Sequence, residues 1–194
     1  MSRGEILKNI TINKPKGEFP LPEIDMVFNE GNAFDSFKEI IPKISAKLEI
    51  VSDYSEISGL IEQRFSKKNR IVNTIDSALF QGIDIAKLDS IKDLNLLDLA
   101  IIKGDMAVAE NGSIWVSDKN LPHRILPFIC ENLVLVIDKK DIINNMHEAY
   151  KLQNDLDYNY GVFIAGPSKT ADIEQSLVVG AQGPRNLMVI VVEK

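Results

Sequence analysis

Two hydroxyls, a cation and a string of backbone amides come together in Gly166-Pro167-Ser168-Lys169-Thr170-Ala171-Asp172. The apolar run before this segment reads as a strand and the stretch after it as a helix. That junction would leave amide N–H groups without intrahelical partners. With Ser168, Lys169 and Thr170 beside them, these amides could hold a phosphate or a carboxylate. The same residues also fit a purely structural role, with Ser168 or Thr170 capping the helix and Asp172 offsetting its macrodipole. A second turn, Gly180-Ala181-Gln182-Gly183-Pro184-Arg185, allows a tight return and could aim Gln182 and Arg185 into the same crevice. A loop from helix to strand calls for glycine in any case. Glu110 and, five residues earlier, Asp105 are candidate catalytic carboxylates, as base or as nucleophile towards an activated acyl group, or else solvated surface groups. His123, beside Arg124, could donate a proton or bind an anion, or be a packed or surface histidine.

Such residues need a frame that carries them to one place. Ile6, Leu7 and Ile10 behind Ser2 predict a short amphipathic helix over 2–11, and three prolines with Gly17 predict an extended linker over 13–22. Phe34, Phe37, Ile40, Ile41 and Ile44 form a helical stripe over 33–48 that Pro42 should kink or end, and a second helix is expected over 55–66. Short β-branched runs at 48–51 and 70–72, and Leu99-Ala100-Ile101-Ile102, read as strands. Residues 107–110 and 113–116 flank Asn111-Gly112, a two-residue hairpin signal. Leu133-Val134-Leu135-Val136-Ile137 reads as a strand covered on both faces, followed by a helix over 140–154. A strand over 161–165, a helix over 170–178 and a strand over 187–192 complete the chain. The alternation predicts an α/β fold: a mostly parallel sheet, helices on both faces and an inserted β-hairpin, with ligands at the carboxyl end of the sheet.

The whole chain of 194 residues suits one α/β domain, here 33–194, preceded by a helix and linker over 1–32. Its net charge of −6 disfavours nucleic acid and anionic membranes as partners. Cys130 is the one cysteine, so a disulfide or a cysteine-held zinc or iron–sulfur site is not expected. With two histidines at no ligating spacing, no metal site is expected either. No flavin or nicotinamide fingerprint stands out, so no cofactor is expected. The start lacks the apolar core of an export signal, and no run is long enough to span a bilayer, which predicts a cytoplasmic protein.

Over residues 70–194 the sequence resembles the LUD-domain family, in its lactate-utilisation protein C branch. Gly166 through Glu174 is similar to that family's Gly-Pro-Ser-Arg/Lys-Thr-Ala-Asp-Ile-Glu motif, and Gly180 through Pro184 to the glycine turn that follows it. Ala109-Glu110-Asn111-Gly112-Ser113 resembles its Ala-Glu-Thr-Gly-Thr hairpin, and Leu121-Pro122-His123 begins its Leu-Pro segment. The chain departs from the pattern at Gln182, where the family commonly has histidine, and at Asn111 and Ser113, where it has threonine. Losing the histidine puts any acid–base role of that turn in doubt.

The resemblance implies a fold like that of ribose-phosphate isomerases, glucosamine-phosphate deaminases and coenzyme A transferases. It also implies work beside an iron–sulfur protein and a cysteine-rich partner in oxidising L-lactate. Two expectations follow: a non-redox accessory subunit that binds a small anion, or a stand-alone enzyme on a sugar phosphate or acyl thioester using Glu110 or Asp105.

Overall fold

The computed structural model of the chain describes residues 2–14, 31–65, 70–75, 82–87, 90–154, 157–171, 177–180 and 182–194. Two apolar runs form its centre. Strand β6 (Asn132–Asp138) is buried along its whole length, and β11 (Asn186–Val192) pairs with it in parallel, Leu187 opposite Leu133 through Val191 opposite Ile137. Because side chains alternate between faces, both strands need cover on two sides. Flanking strands β1 (Lys47–Val51), β3 (Leu99–Lys103) and β2 (Ile71–Asn73) complete an all-parallel sheet in the order β1-β11-β6-β3-β2.

Each face of this sheet has its own core. Val134, Val136, Met188, Ile190 and Val192 meet Ile57 and Ile61 of helix α3 (Glu56–Phe65). On the opposite face Leu133, Leu135, Ile137, Leu187, Val189 and Val191 meet Phe34, Phe37 and Ile41 of α2 (Ala33–Lys43). Fully burying one such side chain contributes about 1.5–3 kcal/mol, so the two layers dominate stability. Asn32 caps α2 by accepting the Phe34 N–H. Pro42 lies in the last turn, and the chain leaves through Ser45 at φ +66°. Helix α1 (Arg3–Asn13) begins behind Ser2 as expected, but it lacks the apolar face expected of an amphipathic helix and buries none of its residues. Most of the linker expected over 13–22 lies outside the described residues.

The expected hairpin is part of something larger. Strands β4 (Met106–Val108) and β5 (Ile114–Ser117) are the middle of a four-stranded sheet, β7-β4-β5-β8, with β7 at Ile142–Ile143 and β8 at Gly161–Ile164. Its inner face packs Ala107, Ile114 and Val116 onto the main core. Its outer face packs Met106, Val108, Trp115 and Phe163 under Ala149 of α5 (Met146–Asn154), which follows the one-turn helix α4 (Leu126–Ile129). The turn at Asn111-Gly112 is wider than a two-residue hairpin. Val108 N–H bonds to Ser113 O, Asn111 Oδ1 accepts both the N–H and the hydroxyl of Ser113, and of the two central residues only Gly112 has positive φ, +72°. Gly112 lies against Ile40, Ile41 and Ile44, where a side chain would collide, so packing on α2 shapes the turn.

Two predicted helices are corrected. The helix expected over 140–154 starts only at Met146, because Ile142 and Ile143 pair with β4. The helix expected over 170–178 is replaced by strands: β9 (Lys169–Ala171) and β10 (Leu177–Val179) pair antiparallel, Lys169 opposite Val179 and Ala171 opposite Leu177. The two strands form a separate two-stranded ladder, whose pairing overrides the helical pattern. Among the described residues no helix is long and apolar enough to cross a membrane.

Candidate functional site

The two glycine turns singled out in the sequence form one ledge. After β8 the chain turns at Gly166, φ +79°, so close to the carbonyl of Ile44 that a Cβ would clash with it. Ser168 N–H then donates to Pro184 O at 2.9 Å, and Gly180 N–H donates to Ser168 O at 3.0 Å. Gly183 faces Ser168, where a Cβ would come within 3.1 Å of the serine Cβ. Arg185 N–H donates to Glu131 O at 2.8 Å. Since β6 and β11 both begin at this point, the ledge stands at the amino end of the parallel sheet, not at the carboxyl end expected from the sequence.

This arrangement changes what the motif can do. No helix begins at Ser168, and its amide is already bonded, so the predicted cradle of free helix-terminal amides is not formed. The ammonium of Lys169 donates to Ile44 O at 3.3 Å and to Ser45 Oγ at 2.9 Å, meeting the carbonyl end of α2 where a cation is favoured. Among the described residues, the Ser168 hydroxyl, the Gln182 carboxamide and the Arg185 guanidinium have no side-chain partner. The side chain of Thr170, and all of Asp172, lie outside what is described.

Two clefts open on the ledge. The smaller, about 310 Å³, is lined by Ser168, Lys169 and Gln182 with an apolar wall that includes Phe128, Phe163 and Pro184; Gly166 and Pro167 form part of its floor. The larger, about 610 Å³, takes in Gly180, Gln182, Gly183 and Arg185 together with Leu96, Asp98, Phe128 and Glu131. Phe128 and Gln182 form a wall common to both. The smaller cleft brings a cation, a hydroxyl and an amide to an apolar recess, which suits a small anion. The larger is lined by two carboxylates, each of which already has a partner, and one guanidinium.

The other sequence candidates are elsewhere, each with a structural task. Glu110 Oε2 accepts the Met146 N–H at 2.9 Å, capping the first turn of α5. Asp105 accepts from Ser117 N–H at 2.7 Å and from Asn120 Nδ2 at 2.8 Å. His123 Nδ1 accepts the Ile125 N–H at 3.2 Å, while Arg124 sits over the Tyr160 ring. None of these three lines either cleft.

Sequence reasoning missed Phe128, Leu96 and a polar group at the opposite, carboxyl end of the sheet. There Tyr54 Oη donates to Asp138 Oδ1 at 2.6 Å, and Lys103 Nζ lies 3.2 Å from Asp138 Oδ2. Burial, then the bond to Asp138, raises the Tyr54 hydroxyl above its ordinary pKa. Burial works to lower Lys103, but hydrogen bonds to Tyr54 and Asp138 carry it upward overall. Burial and then Asp138 raise the nearby Asp141 carboxyl. The available signal was positional: Lys103 and Asp138 end apolar runs that become adjacent strands. Among the described residues no group of three or more His, Cys, Asp or Glu side chains could hold a metal.

A model of the LUD domain matches residues 23–192. Among relatives, lactate utilization protein C 1 of Bacillus mycoides (strain KBAB4) is 33% identical over 113 residues, 55% of this chain and 48% of that protein. Lactate utilization protein C of Geobacillus kaustophilus (strain HTA426) is 27% identical over 143 residues, 70% of this chain and 56% of that protein. The chain thus spans about half the length of the curated relatives it matches. A solved DUF162-family protein from Deinococcus radiodurans superposes with a TM-score of 0.64 over 82% of this chain and 96% of that one. At 22% identity, that match establishes the fold.

Proposed function

The chain belongs to the LUD-domain family, and from that premise we propose that it serves lactate utilisation as a non-redox accessory subunit that binds a small anion in the smaller cleft. The lactate part is supported by relatives named for lactate utilisation. The binding part is supported by one observation: backbone hydrogen bonds of Ser168 to Pro184 and Gly180 bring the Ser168 hydroxyl and the Gln182 carboxamide, neither with a side-chain partner among the described residues, to the cleft that Lys169 lines. In this reading electrons move through iron–sulfur and cysteine-rich partner subunits, while this chain holds a carboxylate or phosphate for them. Lys169 supplies charge from a fixed position, Ser168 and Gln182 donate hydrogen bonds, and the Phe128 and Phe163 wall keeps water from the ligand's apolar part.

Deleting the gene is expected to impair growth on L-lactate, while the isolated chain does not oxidise lactate with an artificial acceptor. Vigorous oxidation by the chain alone would contradict the accessory role. For the site, a thermal-shift series with lactate, pyruvate, sugar phosphates and acyl-CoA compounds identifies any ligand of the native state, which must raise the melting temperature. Replacing Ser168 and Gln182 together by alanine is expected to abolish that shift. A shift of unchanged size in the double variant removes the smaller cleft as the site.

A further inference from the structure

The two clefts on the ledge meet along one edge, because Phe128 and Gln182 line both. At that edge residue 183 carries no side chain. Gly183, in the larger cleft, faces Ser168, in the smaller, where an added Cβ would stand 3.4 Å from the serine hydroxyl. Size limits what such a pair of clefts is built to hold. A three-carbon hydroxy acid has six heavy atoms, which at the roughly 30 Å³ of a liquid water molecule take up no more than about 180 Å³. The smaller cleft alone has about 310 Å³ and the larger about 610 Å³. Recesses of about 300–1,000 Å³ are those that enclose ligands of drug size. An acid as small as lactate would leave much of the smaller cleft, and all of the larger, to water.

The side chains of the larger cleft indicate what fills it. Phe128 is 43% exposed and Leu96 79%, and both line it. Leu96 is held at φ +62°, a conformation that costs free energy for leucine and persists only where the surroundings impose it. They do so here: Leu94 and Leu97 on either side are buried, and Leu97 N–H donates to Leu94 O at 3.1 Å. The strained backbone thus keeps an apolar side chain in water at a cleft. Asp98 and Glu131 already have partners, and the stem of Arg185 packs on Gly180. The surface left to cover is apolar, and it continues the Phe128 and Phe163 wall of the smaller cleft.

We propose that the anion of the smaller cleft is the head of a longer ligand, a carboxylate or phosphate whose apolar acyl or aryl portion crosses Phe128 and lies against Leu96 in the larger cleft. This rests on the anion reading of the smaller cleft and adds the ligand's class to it. A tenfold gain in affinity corresponds to about 55 Å² of apolar surface removed from water, well under the roughly 150–250 Å² that one aromatic side chain buries. Covering part of Phe128 and Leu96 is enough to supply it.

The test is an NMR titration of the full chain with two pairs of probes that share a head: acetate with phenylbutyrate, and inorganic phosphate with naphthyl phosphate. In at least one pair the longer probe is expected to bind more than about tenfold more tightly and to shift the Leu96 methyl signals, which the shorter leaves in place. Phe128→Ala and, separately, Leu96→Ser should each bring that advantage below about threefold without changing the affinity of the shorter probe. Thermal melts of both variants show whether either has lost its fold, and Leu96, at 79% exposure, is the less disruptive position. Ser168→Ala with Gln182→Ala should weaken the long and the short probe alike. If this double variant weakens both but the two bind equally well to the wild type, the anion reading stands and the longer ligand is overturned. An advantage that survives both Phe128→Ala and Leu96→Ser also overturns it, because the tail then lies elsewhere. Long probes indifferent to the double variant overturn the anion reading and this proposal with it, as does binding of none of the four.

Discussion

Asp138 is buried to 12% side-chain exposure and holds two partners, Tyr54 and Lys103, so the cost of desolvating its charge is offset from two sides. Replacing Tyr54 by phenylalanine removes the 2.6 Å bond while the lysine stays. Chemical denaturation should show a loss of about 1.5–3 kcal/mol, the range for a hydrogen bond to a charged group. No measurable loss would mean that Lys103 alone satisfies the carboxylate. Asp141 behaves in the opposite sense. Its carboxyl pKa is raised above the ordinary 3.8 by burial and by Asp138, so the fold binds that proton more tightly than the unfolded chain does. The penalty is absent below 3.8, develops as pH rises through the raised value, and is complete above it. Asp141→Asn should therefore stabilise the protein at neutral pH and lose that advantage in acid. An equal gain at both ends of the pH range would contradict the electrostatic cause.

At the scale of elements, the C-terminal end of α2 is a junction for three others. Gly112 of the β4–β5 turn packs on Ile40, Ile41 and Ile44, Gly166 presses on the Ile44 carbonyl, and Lys169 donates to that carbonyl and to Ser45. Gly166→Ala places a methyl group where the Ile44 oxygen lies, at a positive φ, and should cost at least about 1–3 kcal/mol in a denaturation experiment. A neutral result would show that the ledge can shift away from α2. Residues 133–137 announced their strand because an uninterrupted apolar run has few other uses, and the Pro42 end of α2 was equally plain. The 170–178 segment misled because a serine beside a polar stretch is also how helices begin. Its true state depends on pairing between residues six to ten positions apart, which a local pattern does not encode.

At the scale of the molecule, a two-faced sheet shuts Cys130 inside. The residue is 2% exposed, and burial pushes its thiol up to about 12 from the ordinary 9.0. Thiolate is the reactive form, so at pH 8 the native chain should react with an aromatic disulfide reagent only as fast as it opens, while the unfolded chain reacts at once. Rapid labelling of the native protein would show that the cysteine is reachable through the larger cleft, which it helps line. The same raised value sets a direction with pH: the fold favours the thiol, so stability falls as pH climbs above 9.0 towards about 12.

The sequence by itself determined the family, the parallel core strands and the start of α1 behind Ser2. All of these rest on neighbours in the chain, apolar periodicity or a long motif. Only the tertiary structure decided which side chains the two glycine turns leave uncommitted. Lys169, the obvious anion ligand in the sequence, also serves as a cap for α2, while Arg185, weakly marked in the sequence, lines the larger cleft. Glu110 and Asp105 looked equally suited to chemistry until their oxygens were found bonded to Met146 and to Ser117 and Asn120. A side chain's chemistry is written in its residue type, but its availability depends on which distant atoms the fold brings within hydrogen-bonding reach, and that is a property of the packed chain.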